Sequence, residues 1–354
     1  MTRMMHDDQL HFARRYGDIC ALRAFGEDFI LLNSYDVIYE ATFVKPMDFV
    51  NRPFGDGFIV NIVDPNKDSL NLNNLTTKLQ EFRIACSSIF RYMGVGRAEM
   101  EENIQNEADI LIGRFESQSG KPFDSLMDIR IAVTNVIMGV LFNKHYAYDD
   151  FELHDLIEIL DSTLGSLEHI FILDMFPWSR FLPGLRKHYL NITEGSHEIK
   201  EFMFEKAREV VADEETHGNS FCEEYAEKYV KCPDRFNNVL KHNLGNLLVT
   251  GTDTLYKSIQ WTIKMLCNHQ GVQTKLYEAI RDVIGQDGRY TQTCKIPYLD
   301  AVVLEVQRFC TLAPVEVPHS VSTKGKVTLG GHVVPNDATY IFNLFAVHRD
   351  PKTG

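Results

Sequence analysis

The chain has 354 residues, 44% hydrophobic and 24% charged, with a formal net charge of -13 and a pI near 5.5. That balance is ordinary for a globular protein and argues against nucleic acid as the main partner, because a polyanion is bound by surplus cations. No apolar run reaches the length of about eighteen residues that spans a bilayer, and the N-terminus is polar, so neither a membrane span nor a signal peptide is expected within the chain.

Seven cysteines (Cys20, Cys86, Cys222, Cys232, Cys267, Cys294 and Cys310) are scattered, with no C-x-x-C pair. They suit reduced thiols rather than a disulfide framework or a zinc site. No linker, repeat or composition break divides the chain, so one domain over 1–354 is expected.

In chain order, Asp7 to Tyr16 reads as a short amphipathic helix. Ile19 to Phe25 and Phe29 to Leu32, joined by Gly26-Glu27-Asp28, read as a hairpin. Tyr35 to Thr42 reads as a helix. The stretch Asn51 to Asn74, with Arg52-Pro53, Gly55, Gly57 and Pro65, is expected to be a long loop, and such loops are usually functional. Helices dominate from Leu75. Thr77 to Phe90, Arg97 to Gln118, Asp124 to Phe142 and Glu152 to Leu164 all carry apolar residues at three-to-four spacing. Asp174 to Gly184 is a turn-rich break, and His188 to Val211 a charged helix. Asp213 to Lys231 is acidic enough to predict a solvated surface segment. Val272 to Ile284 and Tyr298 to Cys310 are further helices. Strands are expected at Val327-Thr-Leu329, His332-Val-Val334 and Thr339 to Phe345, with Gly330-Gly331 as a tight turn. The class is mainly α with small β-sheets: β-containing regions at 1–50 and 315–354, and a helical core at 75–312.

The most informative helix runs from Asp234 to Asn268. Leu240, Leu244, Leu247, Leu248, Leu255, Ile259, Ile263 and Leu266 recur at helical spacing, which predicts burial in a large core. Thr250-Gly251-Thr252-Asp253-Thr254 interrupts that stripe at a cost, since a mid-helix glycine is worth about 1 kcal/mol less than alanine. Two accounts compete. Gly251 could admit a flat or bulky group to the backbone, with Thr254 back-bonded to Thr250 and Asp253 a buried acid able to carry a proton. Alternatively, Gly251 could permit a close helix crossing. Near the other end, Glu305 and Arg308 share a helix face and would form a strong brace if desolvated, or a weak pair if solvated.

Together these features resemble the cytochrome P-450 haem-thiolate monooxygenases, in particular the animal microsomal branch. Thr250-Gly-Thr-Asp-Thr-Leu255 is similar to the oxygen-activation helix, and Glu305-Val-Gln-Arg308 followed by Val317-Pro-His319 to the E-x-x-R region. Phe49-Val-Asn-Arg52-Pro53, Met93-Gly-Val-Gly96, Phe176-Pro-Trp178, Pro183-Gly184 and Val334-Pro335 fall in the family's order. The resemblance implies a P-450-like helical fold that is incomplete at its C-terminus. It implies proton delivery by Asp253 and Thr254, with Thr250 and Gly251 lining haem b. Arg83 and His319 would hold its propionates, and Leu247 and Val315 would line an apolar substrate pocket. Glu305 and Arg308 would be a structural ion pair.

Dioxygen, a lipophilic small molecule and an NADPH-dependent reductase are the implied partners, at the cytosolic face of the endoplasmic reticulum membrane. A membrane anchor is expected only in the full-length protein. The chain departs from the family at Leu79, where a tryptophan is usual, and at Leu255, where a hydroxyl is usual. No cysteine before Gly354 lies in the family's ligand context, so the axial thiolate is expected from outside this chain, and the chain alone is expected to be inactive. The alternative is a non-catalytic relative that binds only a hydrophobic ligand or partner.

Overall fold

A computed structural model describes residues 5–24, 26–54, 57–93, 98–213, 220–229, 231–232, 234–286, 288–291 and 293–352. Phe25, Gly55, the Gly94-Val-Gly96 part of one motif, Arg97 at one expected helix start, and 214–219 of the acidic stretch lie outside them. The chain groups into two compact units, each discontinuous in sequence: 1–56 with 70–76 and 304–354, and 57–69 with 77–303.

The first unit opens with α1 (Met5–Tyr16), followed by β1 (Ile19–Ala24) and β2 (Glu27–Leu32). The hairpin is tighter than expected: Ala24 pairs with Glu27 and Arg23 with Asp28, so the turn is two residues rather than three. A two-residue turn matches the twist of the paired strands, and the Arg23–Asp28 ion pair at 3.2 Å spans it. Next, α2 (Tyr35–Tyr39) continues as a π turn over Glu40–Val44.

The second unit takes in 57–69 of the stretch expected to be all loop, and this part contains a short helix, α3 (Phe58–Val63). Its Ile59 is fully buried with Leu173 and Ile192. Then come α4 (Thr77–Tyr92), α5 (Ala98–Ser117), α6 (Leu126–Phe142), α7 (Phe151–Ser166), α8 (Ile170–Met175) and α9 (Pro183–Ala212). Proline is favoured in a first helical turn, where its missing N–H costs nothing. This lets α9 start at Pro183, five residues before the charged run suggested.

Within the acidic stretch the structure overturns the expectation of a solvated segment. Phe221–Tyr229 forms α10, burying Phe221, Cys222, Tyr225 and Ala226. Ser220 and Glu223 cap it reciprocally: the Ser220 N–H donates to Glu223 Oε2 at 2.9 Å and the Glu223 N–H to Ser220 Oγ at 3.2 Å. A π-helical turn over Asp234–Leu240 leads into α11 (Lys241–Asn268), and α12 (Gln270–Ile284) follows.

The chain returns to the first unit within α13 (Pro297–Cys310) and completes it with β3 (Val327–Leu329), β4 (His332–Val334), β5 (Thr339–Phe342) and α14 (Leu344–Val347). The last strand is shorter than expected because Asn343 turns the chain and caps α14, its Oδ1 accepting from the Ala346 N–H. β5 lies parallel to β2 (Phe29 opposite Thr339, Leu32 opposite Phe342), giving the order β1-β2-β5. Ile30, Leu32, Phe49, Leu329, Tyr340 and Phe342 form this unit's core. As expected from the sequence, the chain is mainly helical with small sheets.

Candidate active site

Helix α11 packs on α6 and α9. The face it buries there is Leu244, Leu248, Thr252 and Tyr256, repeating every four residues. The apolar residues of the sequence stripe lie on more than one face, and burial all round does not hold. Thr250, Thr254, Leu255 and Ile259 are exposed, Leu255 to 48%.

The glycine of the interrupted stretch faces α6. A Cβ built on Gly251 would lie 2.8 Å from Ile137 Cδ1, so its missing side chain admits a neighbouring helix. Of the two accounts open for Gly251, the close crossing is the one visible in this unit. The threonines compensate their poor helix propensity by back-bonding. Thr250 Oγ1 donates to Asn246 O at 2.7 Å, and Thr254 Oγ1 to Thr250 O at 2.8 Å. Ser258 donates to Thr254 O and Thr262 to Ser258 O, both at 2.8 Å. The result is a ladder of four hydroxyls along α11.

Asp253 is not the lone buried acid expected from the sequence. Lys257, one turn on, holds its Oδ2 at 2.7 Å. The other oxygen, Oδ1, is buried and has no hydrogen-bond partner among the described residues. One end of this carboxylate is therefore tethered and the other is not. Arg83, on α4, is exposed, with no carboxylate paired to it among the described residues. Leu79, one turn before it, is fully buried and offers no donor. Leu247 is half-buried in this unit.

His319, Glu305 and Arg308 belong to the first unit, as does half-buried Val315. His319 stacks on Phe342 with ring centroids 4.6 Å apart. Its Nδ1 meets Phe49 O at 2.6 Å, so that nitrogen donates and Nε2 accepts from Arg52 Nη1 at 2.8 Å. Arg52 also donates to Val317 O at 2.9 Å. The sequence marked Arg52 only as part of a motif. Its neighbour across the fold was hidden by distance along the chain.

Glu305 and Arg308 form a two-point pair, Nε to Oε2 and Nη2 to Oε1, each at 2.7 Å, and Arg308 also reaches His348 O at 2.8 Å. The pair forms, but it is not desolvated: the side chains are 59% and 35% exposed. The helix presents this face to solvent although both flanking residues are apolar, because Leu304 and Phe309 are themselves exposed.

The family model for cytochrome P-450 matches residues 1–353. The chain belongs to the cytochrome P-450 family. Among individual relatives, it is 26% identical over 352 residues to cytochrome P-450 2J1 of Oryctolagus cuniculus, covering 96% of this chain and 68% of that protein. It is 27% identical over 357 residues to cytochrome P-450 2A2 of Rattus norvegicus (96% and 69%) and 26% over 355 to cytochrome P-450 2J2 of Homo sapiens (96% and 68%). In three dimensions it is similar to a zebra fish cytochrome P-450 solved with progesterone. That match has a TM-score of 0.84 at 20% identity and covers 100% of this chain and 82% of that one. At the level of the P-450 family this is a haem monooxygenase sequence.

Proposed function

We propose that the full-length protein inserts one oxygen atom from O2 into a lipophilic organic substrate, using haem b and electrons from an NADPH-dependent reductase. The observation that carries the reading is Asp253 beside Thr254 on α11. The carboxylate has one free buried oxygen, and the hydroxyl lies on an exposed helix face.

The donor set suits haem b in part. Arg83 offers a cation suited to a propionate carboxylate. His319, the other expected donor, spends its one N–H on Phe49 O and accepts from Arg52 at Nε2, so it holds Arg52 rather than donating outward. Leu79 contributes nothing there. Gly251 already serves the approach of Ile137, so Thr250 and Thr254 are the residues left to line the cofactor. Bound haem supplies the redox chemistry. Asp253 Oδ1 takes and gives up a proton, while Lys257 keeps the carboxylate in place. Thr254 Oγ1, once turned from the Thr250 carbonyl, passes a hydrogen bond onward, and Leu247 gives the substrate an apolar wall.

For location, we propose the cytosolic face of the endoplasmic reticulum membrane. Among the described residues no helix is long and apolar enough to cross a bilayer. Phe171, Ile172, Trp178, Phe181 and Leu182 are nevertheless exposed close together in sequence, Trp178 to 62%, which favours contact with an apolar phase. The deciding experiment is spectroscopic. Full-length protein reconstituted with haem, reduced and exposed to carbon monoxide, gives the red-shifted Soret band of thiolate ligation. A folded, haem-loaded protein with an ordinary ferrous–carbonyl spectrum overturns the reading and leaves the non-catalytic alternative.

A further inference from the structure

The segment 64–69 buries three polar residues at its ends, Asp64, Asp68 and Ser69, while Pro65, Asn66 and Lys67 between them are exposed. Asp64 and Asp68 are 1% and 0% exposed, and Ser69 is buried too. Buried polar backbone must find partners, and here they come from one stretch of α11. Asn243 Nδ2 donates to Asp68 O at 2.7 Å, and Asn246 Nδ2 to Ser69 Oγ at 2.9 Å. Asp64 closes the segment on itself by accepting from the Asp68 N–H at 3.0 Å and the Ser69 N–H at 2.8 Å.

His242 faces Asp64 across 3.4 Å, and ligand-capable atoms of Asp64, Asp68 and His242 lie within 4.8 Å of one another. A metal is not required to hold them, because Lys78 pairs with Asp68 and brings its own positive charge. The cluster is a clamp. It anchors the chain just after α3, whose Ile62 is 40% exposed. Asn246 does two things at once: its side chain holds Ser69, and its carbonyl accepts the Thr250 hydroxyl at the root of the ladder that continues to Thr254.

We propose that Asn246 is a positioning residue that fixes α3 and the 64–69 segment in register with Asp253 and Thr254, and so sets how a lipophilic substrate is held. This rests on the monooxygenase reading, and the test separates the two. In the whole chain, hydrogen exchange at 64–69 is compared among the parent, Asn246→Ala, Ser69→Ala and the double variant. Each single change should speed exchange there about tenfold, as loss of one hydrogen bond of typical net worth would, and the double should be no faster than either single. Unchanged exchange, additive effects, or a rise spread equally over α6 and α11 overturns the clamp.

In the full-length, haem-loaded protein with a fluorogenic alkoxycoumarin ether, Asn246→Ala should raise KM at least about threefold and leave kcat within about twofold, the pattern of lost uniform binding. A fall in kcat at unchanged KM overturns the positioning role. A parent protein that oxidises nothing overturns the monooxygenase reading and the role with it, and exchange still decides the clamp.

Discussion

Arg52 Nη1 and His319 Nε2 meet at 2.8 Å across 267 positions of sequence. One guanidinium thereby serves the imidazole and the Val317 carbonyl together. Arg52→Ala leaves both acceptors unmet and should cost about 1–2 kcal/mol in urea denaturation. Arg52→Lys should recover less than half of that, because an ammonium cannot reproduce the planar fork. A lysine variant as stable as the parent would show that charge alone matters there.

Gly195 and Gly251 both lie in long helices, yet alanine should affect them differently. A Cβ at Gly195 would fall 2.1 Å from Thr163 Oγ1, which already bonds Asn191 O. At Gly251 it would meet the end of the Ile137 side chain at 2.8 Å, which can rotate. Gly251→Ala should therefore be within about 1 kcal/mol of neutral, helix propensity offsetting the adjustment, and Gly195→Ala should cost about 2 kcal/mol or more. Thermal melts decide, and equal losses would contradict the packing described.

Thr254→Ala separates chemistry from architecture. Its hydroxyl is exposed and spends its proton on Thr250 O, so removal should change stability by no more than about 0.5 kcal/mol. In the full-length enzyme the same change should divert electrons from product to peroxide or water. Unaltered coupling between NADPH consumed and product formed would remove Thr254 from proton delivery.

The thiols should divide by burial. Burial pushes Cys86 up to about 12, and Cys222 well above its ordinary value with Glu223 adding to the effect. Cys232 and Cys267 are exposed. Since the thiolate is the reactive form, alkylation mapped by mass spectrometry at neutral pH should modify Cys232 and Cys267, and reach Cys86 and Cys222 only after denaturation. Native labelling of Cys222 at the rate of Cys267 would contradict the burial of α10.

The Arg308 hydrogen bond holds the Glu305 carboxyl below its usual range, against a smaller opposing effect of burial. A lowered carboxylate stabilises the fold above its unfolded value and loses that contribution as pH falls through its folded value. Solvent keeps the pair's worth under about 0.5 kcal/mol. Glu305→Gln should be barely destabilising near neutrality and indistinguishable from the parent in acid. A loss several times larger would mean the pair is shielded from water.

Much of the helical order was legible because three-to-four spacing survives even where composition misleads. Ser220-Phe-Cys-Glu223 was a readable helix start, hidden only by the acidic residues around it. The six residues of α3 were too few to show a period. Spacing placed Thr254 one turn after Thr250, but no local pattern could say that Ile137 fills the space at Gly251. Nor could it say that Arg52 reaches His319, since both depend on chain segments brought together only by the completed fold.

The parallel pairing of β2 with β5 has a consequence for biosynthesis. Its first strand leaves the ribosome some three hundred residues before the second. Ile30 and Leu32 therefore wait without their eventual neighbours, while 77–303 already holds a helical assembly able to collapse from more local contacts. A nascent chain stalled before Thr339 should expose that unpaired strand edge to chaperones, and emergence of Thr339–Phe342 should close it.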